Sequence, residues 1–133
     1  MKLVLGIGCD RNTPLSTLEN AIDKALASAG LTRDQIIQLA SIDKKQDEVA
    51  LLQLAKLHAW SLAFYPAEQL ATVDVPSPSA VVMKYMGTPS VSEAAAILAA
   101  HSDMSGLLVE KYKYRGDEGK NATVSIVRMR ENT

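Results

Sequence analysis

Cysteine, aromatic residues and long apolar runs are all scarce in this sequence of 133 residues. The single cysteine, Cys9, excludes an internal disulfide, and one cysteine with two scattered histidines lacks the ligand spacing of a metal site. Aromatic residues form only 5% of the chain, which argues against a protein that stacks nucleic-acid bases on an aromatic surface. We predict no metal, no other cofactor and no nucleic-acid partner.

An excess of charge of one sign is also lacking. Fourteen basic residues against fifteen acidic ones leave a formal net charge of −1, so no global field attracts a polyanion. The longest apolar run falls far short of the ~20 residues that span a membrane. Because Met1 and Lys2 lead directly into an apolar stretch without signal-peptide architecture, we predict a cytoplasmic protein with no membrane partner.

The patterns that are present predict a single α/β domain covering residues 1–133. Apolar runs indicate three strands, at about 2–8, 39–43 and 61–65, separated by helical periodicity. Further helices are predicted at about 66–71, 80–86 and 91–100, followed by a C-terminal hairpin over 106–115 and 121–130. This order predicts a layered sandwich, in which a mixed, mostly parallel sheet of about five strands carries helices on both faces.

Polar residues and prolines mark the predicted helix starts. Thr13 is the expected N-cap of the first helix, with Pro14 as its first residue, and Ser90 with Glu93 forms an expected capping box. The segments NTPLSTLENAI and GTPSVSEAAAI are similar, so two helix N-termini would present backbone N–H groups that suit anions. The alternative is that Thr-Pro simply begins helices well.

The segment GIGCDRNTPLSTLENAI, residues 6–22, raises the main functional question. Gly6-x-Gly8 begins like a dinucleotide fingerprint, but Arg11 stands where the third glycine belongs, and no phosphate-loop lysine motif follows. Ligands of open α/β sheets bind beyond the carboxyl ends of the strands. We therefore predict the site in the loops that follow the first two strands, residues 9–13 and 43–48.

Candidate catalytic residues in these loops are Cys9, Asp43 and Glu48. A thiol near a helix N-terminus has a lowered pKa and is a nucleophile, although a buried structural cysteine is the commoner alternative. Asp43 and Glu48 are candidates for general acid–base catalysis, and Lys45 for polarising a carbonyl or holding a carboxylate. The alternative for these charges is a solvated run at a helix start.

The predicted hairpin is locally basic despite the near-neutral total. Its cations are Lys111, Lys113, Arg115, Lys120, Arg128 and Arg130. Lysines at the edge of a sheet commonly serve only to discourage aggregation, and this interpretation is favoured for them.

Five ordered segments resemble a known family. They are GIGCDRNTPLSTLENAI, ASIDKKQDEVALLQLA, VPSPSAVV, GTPSVSEAAAILAA and the tail formed by LLVEKYKYR and NATVSIVR. Together they are similar to the cobalamin-biosynthesis family formed by CobE and the C-terminal domain of CbiG, from the first strand to about Arg128. Because the chain begins at the first strand of the shared domain, it most resembles the stand-alone CobE type of the aerobic pathway.

The resemblance implies work on a corrin-ring precursor. CbiG-type proteins open the ring lactone of cobalt-precorrin-5A and release acetaldehyde, whereas the CobE type implies an intermediate of the precorrin or hydrogenobyrinic acid class. Such a ring is a flat apolar disc edged with carboxylates, so its site needs helix N-termini, hydroxyls and a few cations. The expected ligand-binding residues are Gly8, Cys9, Asp10, Arg11, Asn12, Thr13, Asp43, Lys45, Ser77, Thr88 and Ser90.

Three functions are open at this stage. The first is binding or carriage of the corrin precursor. The second is a CbiG-like hydrolysis, in which Asp43 or Glu48 activates water while Arg11 or Lys45 stabilises the oxyanion. The third is a subunit whose surface binds another enzyme of the cobalamin pathway. The ligand site requires that Arg11 and Lys45 lie beside one cleft.

Overall fold

The structure, a computed structural model, describes residues 1–76 and 78–130. Within these ranges five strands form one sheet: β1 Leu3–Cys9, β2 Ile36–Ile42, β3 Ser61–Tyr65, β4 Leu107–Arg115 and β5 Asn121–Arg128. The helices are α1 Leu15–Ser28, α2 Val49–His58, α3 Ala67–Leu70, α4 Ala80–Met86 and α5 Ser92–Ala99. The predicted α/β class and the C-terminal hairpin are confirmed. None of the described helices is long and apolar enough to cross a membrane.

The strands lie in the order β3-β2-β1-β5-β4. Strand β2 pairs in parallel with β1 and β3, whereas β5 is antiparallel to both β1 and β4. Four of the five strands therefore point in one direction, although parallel and antiparallel pairings are equal in number. The carboxyl ends of β1 to β4 and the beginning of β5 all meet at one edge of the sheet.

Successive side chains of β1 point to opposite faces of the sheet, so the strand contributes to two separate apolar layers. Leu3, Leu5 and Ile7 pack with α1 and α2 on one face, and Val4 packs with α5 on the other. At Gly6 the α5 backbone comes so close that an added Cβ would lie 1.7 Å from the carbonyl oxygen of Ser92. A glycine at this position therefore allows α5 to pack directly on the centre of the sheet.

Two predictions about helix starts are wrong. Pro14, not Thr13, occupies the N-cap of α1, because the Thr13 hydroxyl donates instead to the carbonyl oxygen of Asp10 at 2.7 Å. Before α5 the N-cap is Val91, and the Ser90 hydroxyl donates to the Glu93 carboxylate at 3.3 Å rather than completing a capping box. In both places the hydroxyl hydrogen-bonds a different group three residues away, so it does not accept the backbone N–H that a cap would accept.

Candidate functional site

A cavity of about 350 Å³ lies at the edge of the sheet where the strand ends meet. The loops after β1 and β2 form one side, and the hairpin with α4 forms the other. Its lining comprises Gly8, Cys9, Asp10, Arg11, Lys45, Ser79, Val82, Met86, Ser90, Val91, Ser92, Lys111, Lys113, Asn121 and Thr123. Arg11 and Lys45 therefore border the same cleft, as the predicted site requires.

The structure brings part of the predicted site to this cavity. The predicted ligand-binding residues that line it are Gly8, Cys9, Asp10, Arg11, Lys45 and Ser90. Asn12, Thr13, Asp43 and Thr88 lie outside the lining, and Ser77 lies outside the described residues. Among the three predicted catalytic residues, only Cys9 lines the cavity.

Arg11 joins the two loops to each other. Its guanidinium donates to Asp47 Oδ1 at 2.7 Å and to Glu48 Oε2 at 3.1 Å, and its second terminal nitrogen donates to the carbonyl oxygen of Lys44. The hydrogen bond from Arg11 lowers the pKa of the Asp47 carboxyl. Because two carboxylates already offset its charge, Arg11 shapes the cavity edge more than it offers charge to a ligand.

Glu48 is a buried brace for the first loop. Its carboxylate accepts the Asn12 backbone N–H at 2.7 Å as well as the Arg11 guanidinium. Asn12 has a φ of 60°, so the carboxylate holds a left-handed turn in place. Neither Glu48 nor Asp43 lines the cavity, and the predicted role of these two residues in activating water is not supported by this geometry.

Cys9, the last residue of β1, does not have the predicted reactive thiol. Burial raises the pKa of Cys9 to about 11, and the positive charge of nearby Lys45 acts in the opposite direction without cancelling the effect. The prediction of a lowered pKa is wrong because desolvation at the strand end outweighs the nearby cation. The thiol is therefore protonated at neutral pH.

Lys45 is a cation that the fold leaves available to a ligand. It ends the 3-10 turn Asp43–Lys45 and is only 8% exposed, although it lines the cavity. Within residues 1–76 and 78–130, its ammonium has neither a hydrogen-bond partner nor an ion-pair partner. Because the ammonium has no anionic partner within these ranges, an anion that enters the cavity can form an ion pair with it.

Two further cations come from β4, for which the sequence pattern favoured a role in protecting the sheet edge. Lys111 and Lys113 line the cavity, whereas Tyr112 and Tyr114 pack against the apolar layer on the opposite face. The period-two alternation in KYKY was the available signal for this separation. Lys111 Nζ also lies 3.2 Å from Oε1 of Glu93.

Asp10 is the one carboxylate residue of the described lining. Its Oδ2 accepts the Asn121 backbone N–H at 2.8 Å and the Asn121 side-chain amide at 3.0 Å, which joins the end of β1 to the start of β5. The four lining cations are Arg11, Lys45, Lys111 and Lys113. The lining itself is therefore basic, although Arg11 and Lys111 are paired with acids outside it and the whole chain has a net charge of −1.

Helix α4 contributes an apolar wall opposite the strand ends. Val82 and Met86 line the cavity, and Lys44 Nζ donates to the Met86 carbonyl oxygen at 3.2 Å, which fastens the helix to the second loop. Ser79 caps the helix by accepting the Val82 N–H at 3.2 Å. The arrangement suits a ligand with both anionic groups and an apolar face.

Comparisons with known proteins agree with this architecture. Residues 3–127 match the family described as "Cobalamin synthesis G C-terminus". The chain belongs to this family. It is 32% identical over 124 residues to a cobalt-precorrin-5A hydrolase of Priestia megaterium, covering 93% of this chain and 31% of the relative. It is 36% identical over 111 residues to Protein CobE of a Sinorhizobium species, covering 82% of this chain and 71% of that protein.

A solved protein structure shares the fold. The crystal structure of CobE, a protein from the cobalamin (vitamin B12) biosynthetic pathway, matches with a TM-score of 0.78 and 32% identity, covering 98% of this chain and 93% of that one. The chain spans about a third of the length of the hydrolase relative, 31%. The predicted resemblance is confirmed, and the chain is a cobalamin-biosynthesis protein of the CobE/CbiG type.

Proposed function

We propose that this chain binds a carboxylate-rich corrin precursor, of the precorrin or hydrogenobyrinic acid type, at the basic cavity. The observation that carries the proposal is the Lys45 ammonium, which belongs to a residue only 8% exposed and has no partner among the described residues. Relatives named CobE and cobalt-precorrin-5A hydrolase support a ligand from the cobalamin pathway.

The proposed binding mode places the edge of the ring in the cavity. A volume of about 350 Å³ is near the lower limit for a small-molecule pocket, so a whole corrin ring extends beyond it. One ring carboxylate forms a charge-assisted hydrogen bond with Lys45, and a second is within the reach of Lys113. The apolar face of the ring packs against Val82 and Met86.

The side chains in and beside the cavity favour binding over hydrolysis. The Asp10 carboxylate accepts a hydrogen bond from Asn121, and the Glu48 carboxylate accepts one from Asn12. The pKa of the Cys9 thiol is raised to about 11. These groups are poorly placed to activate water or to attack a lactone at neutral pH. Hydrolysis, a pathway-enzyme partner and a cytoplasmic location stay predictions from the sequence.

The substitution Lys45→Met tests the proposal. Hydrogenobyrinic acid is titrated into the purified protein while its absorbance spectrum is followed. We expect saturable, stoichiometric binding by the wild-type protein and an affinity about tenfold weaker or more in the variant, which corresponds to about 1.4 kcal/mol. Lys56→Met is the matched control, because Lys56 is exposed on α2 and does not line the cavity.

Three outcomes decide between the functions. Equal affinity in the wild-type protein and in Lys45→Met would show that Lys45 does not contribute to the binding site. Release of acetaldehyde with turnover from a precorrin-5A-type substrate would favour hydrolysis instead. A silent titration together with a co-purifying pathway enzyme would favour the partner hypothesis. Thermal unfolding of both variants controls for misfolding.

A further inference from the structure

A buried acid lies directly behind the cavity wall. Glu93, in the first turn of α5, is fully buried, and its Oε1 lies 3.2 Å from Lys111 Nζ. The Ser90 hydroxyl also donates to this oxygen at 3.3 Å. Lys111 and Ser90 both line the cavity, so Glu93 is one residue removed from any ligand. Within residues 1–76 and 78–130, its Oε2 has no hydrogen-bond partner.

Charged groups face Glu93 from β4. Desolvation by burial raises the pKa of Glu93, whereas the hydrogen bond and charge of Lys111 lower it, and the charge of Glu110 raises it. The strands beneath α5 present apolar or small residues to its layer, namely Val4, Gly6, Ala40, Ser125 and Val127. The ionised state of Glu93 therefore depends mainly on how closely Lys111 is held.

We infer that the Glu93–Lys111 pair links anion binding in the cavity to the uptake of one proton by Glu93. The inference rests on the proposed function, because an anion must reach the cavity. A ligand carboxylate that bonds to Lys111 competes with Glu93 for the same ammonium. The buried Glu93 carboxylate then loses part of the positive charge that stabilised it. A proton from the solvent converts this carboxylate to the neutral acid.

The direction of the pH dependence follows from this exchange. The bound protein holds more protons than the free protein, so affinity rises as the pH falls. The affinity stops rising below the pH at which Glu93 is already protonated in the free protein. Ordinary carboxyl groups titrate near pH 4, so above about pH 5.5 the ring carboxylates keep their charge and do not obscure the effect.

Calorimetric titration with hydrogenobyrinic acid measures the proton directly. Titrations from pH 5.5 to 7.5, each in two buffers of different ionisation enthalpy, give the number of protons taken up on binding. We expect uptake approaching one proton in the wild-type protein and an affinity that rises several-fold across this range as the pH falls. Glu93→Gln, which keeps the side-chain shape, should bind without uptake, with a nearly constant affinity that at pH 7.5 is at least that of the wild type.

Glu68→Gln is the matched control. It removes one negative charge from an exposed residue of α3 that does not line the cavity and does not act on the pKa of Glu93, so it should retain the proton uptake. Equal uptake by the wild-type protein and Glu93→Gln would overturn the inference and leave the proposed function intact. Absence of binding by every variant would refute the proposed function.

A measurement without ligand tests the pair separately. Carbon-13 NMR follows the titration of the Glu93 carboxyl in the wild-type protein and in Lys111→Met. Because the cation favours the ionised acid, its removal should move the titration of Glu93 to higher pH. An unchanged titration in a folded variant would overturn the coupling, whether or not a corrin ligand binds.

Discussion

At the scale of single residues, Asp47 and Glu48 share one partner, Arg11, but differ in burial. The Asp47 side chain is 74% exposed and the Glu48 side chain 4%. An exposed ion pair is screened by water, whereas a nearly buried carboxylate that accepts a backbone N–H is screened much less. The loop brace therefore depends chiefly on Glu48.

Substitution of Glu48 by alanine tests this division. The Asn12 N–H loses its acceptor, and we expect the free energy of unfolding to fall by about 1–3 kcal/mol. Asp47→Ala removes the exposed partner of the same guanidinium and should have a much smaller effect. Urea denaturation followed by circular dichroism measures both changes. Equal losses would contradict the assignment of the brace to Glu48.

The chemistry of Cys9 provides a second test at this scale. With a pKa of about 11, its thiolate fraction rises about tenfold per pH unit from pH 7 to 10. Alkylation by iodoacetamide, followed by mass spectrometry, should accelerate throughout this range in the folded protein. The same chain unfolded in urea should level off about two units earlier. A plateau near neutral pH in the folded state would restore the nucleophile hypothesis.

At the scale of elements, Gly6 controls how closely α5 packs on the sheet. An alanine Cβ there would lie 1.7 Å from the Ser92 carbonyl oxygen, whereas one at Gly8 would meet nothing nearer than 3.9 Å. We expect Gly6→Ala to lower the free energy of unfolding by about 3 kcal/mol or more, and Gly8→Ala to cost far less. Thermal denaturation compares them. A well-tolerated Gly6→Ala would show that α5 can shift.

Elements with a clear period were predictable from the sequence. The strands β1 and β3 and the hairpin lie close to their predicted bounds, because their apolar patterns are bordered by polar turns or helix starts. Strand β2 begins at Ile36, before the predicted start at 39, because its first residues alternate weakly. The caps predicted at Thr13 and Ser90 are absent because each hydroxyl donates instead to another group three residues away, the Asp10 carbonyl oxygen or the Glu93 carboxylate. The residue pattern does not distinguish between these short-range alternatives.

The candidate site was predictable only in part, for a reason that lies in the strand order. The loops after β1 and β2 follow from the rule that ligands gather at the carboxyl ends of strands. Lys111 and Lys113 were missed because their place in the cavity depends on β5 lying between β1 and β4. The residues near Lys111 and Lys113 in the sequence do not indicate that β5 lies between β1 and β4.

At the scale of the whole molecule, cations are clustered at one place although the net charge is small. A chain with a net charge of −1 concentrates four cations around one cavity. Such an arrangement attracts a small polyanion at short range but gives no long positive surface for a nucleic acid.

Salt dependence measures this clustering. Raising sodium chloride from about 0.05 to 0.5 M shortens the screening length and should weaken the binding of hydrogenobyrinic acid several-fold. Because Lys45 is nearly buried, part of the affinity should persist at high salt. Duplex DNA at about 0.15 M salt should show no mobility shift with this protein. A strong shift would contradict the predicted absence of a nucleic-acid partner.

The position of β5 between β1 and β4 also determines when the protein can fold during synthesis. Strand β1 emerges from the ribosome more than a hundred residues ahead of the strand that covers one of its two edges. Until that partner arrives, β1 presents an open edge, which is a hazard for association with other nascent chains. We therefore expect a chain that stops before residue 121 to remain unfolded rather than to form a slightly smaller protein.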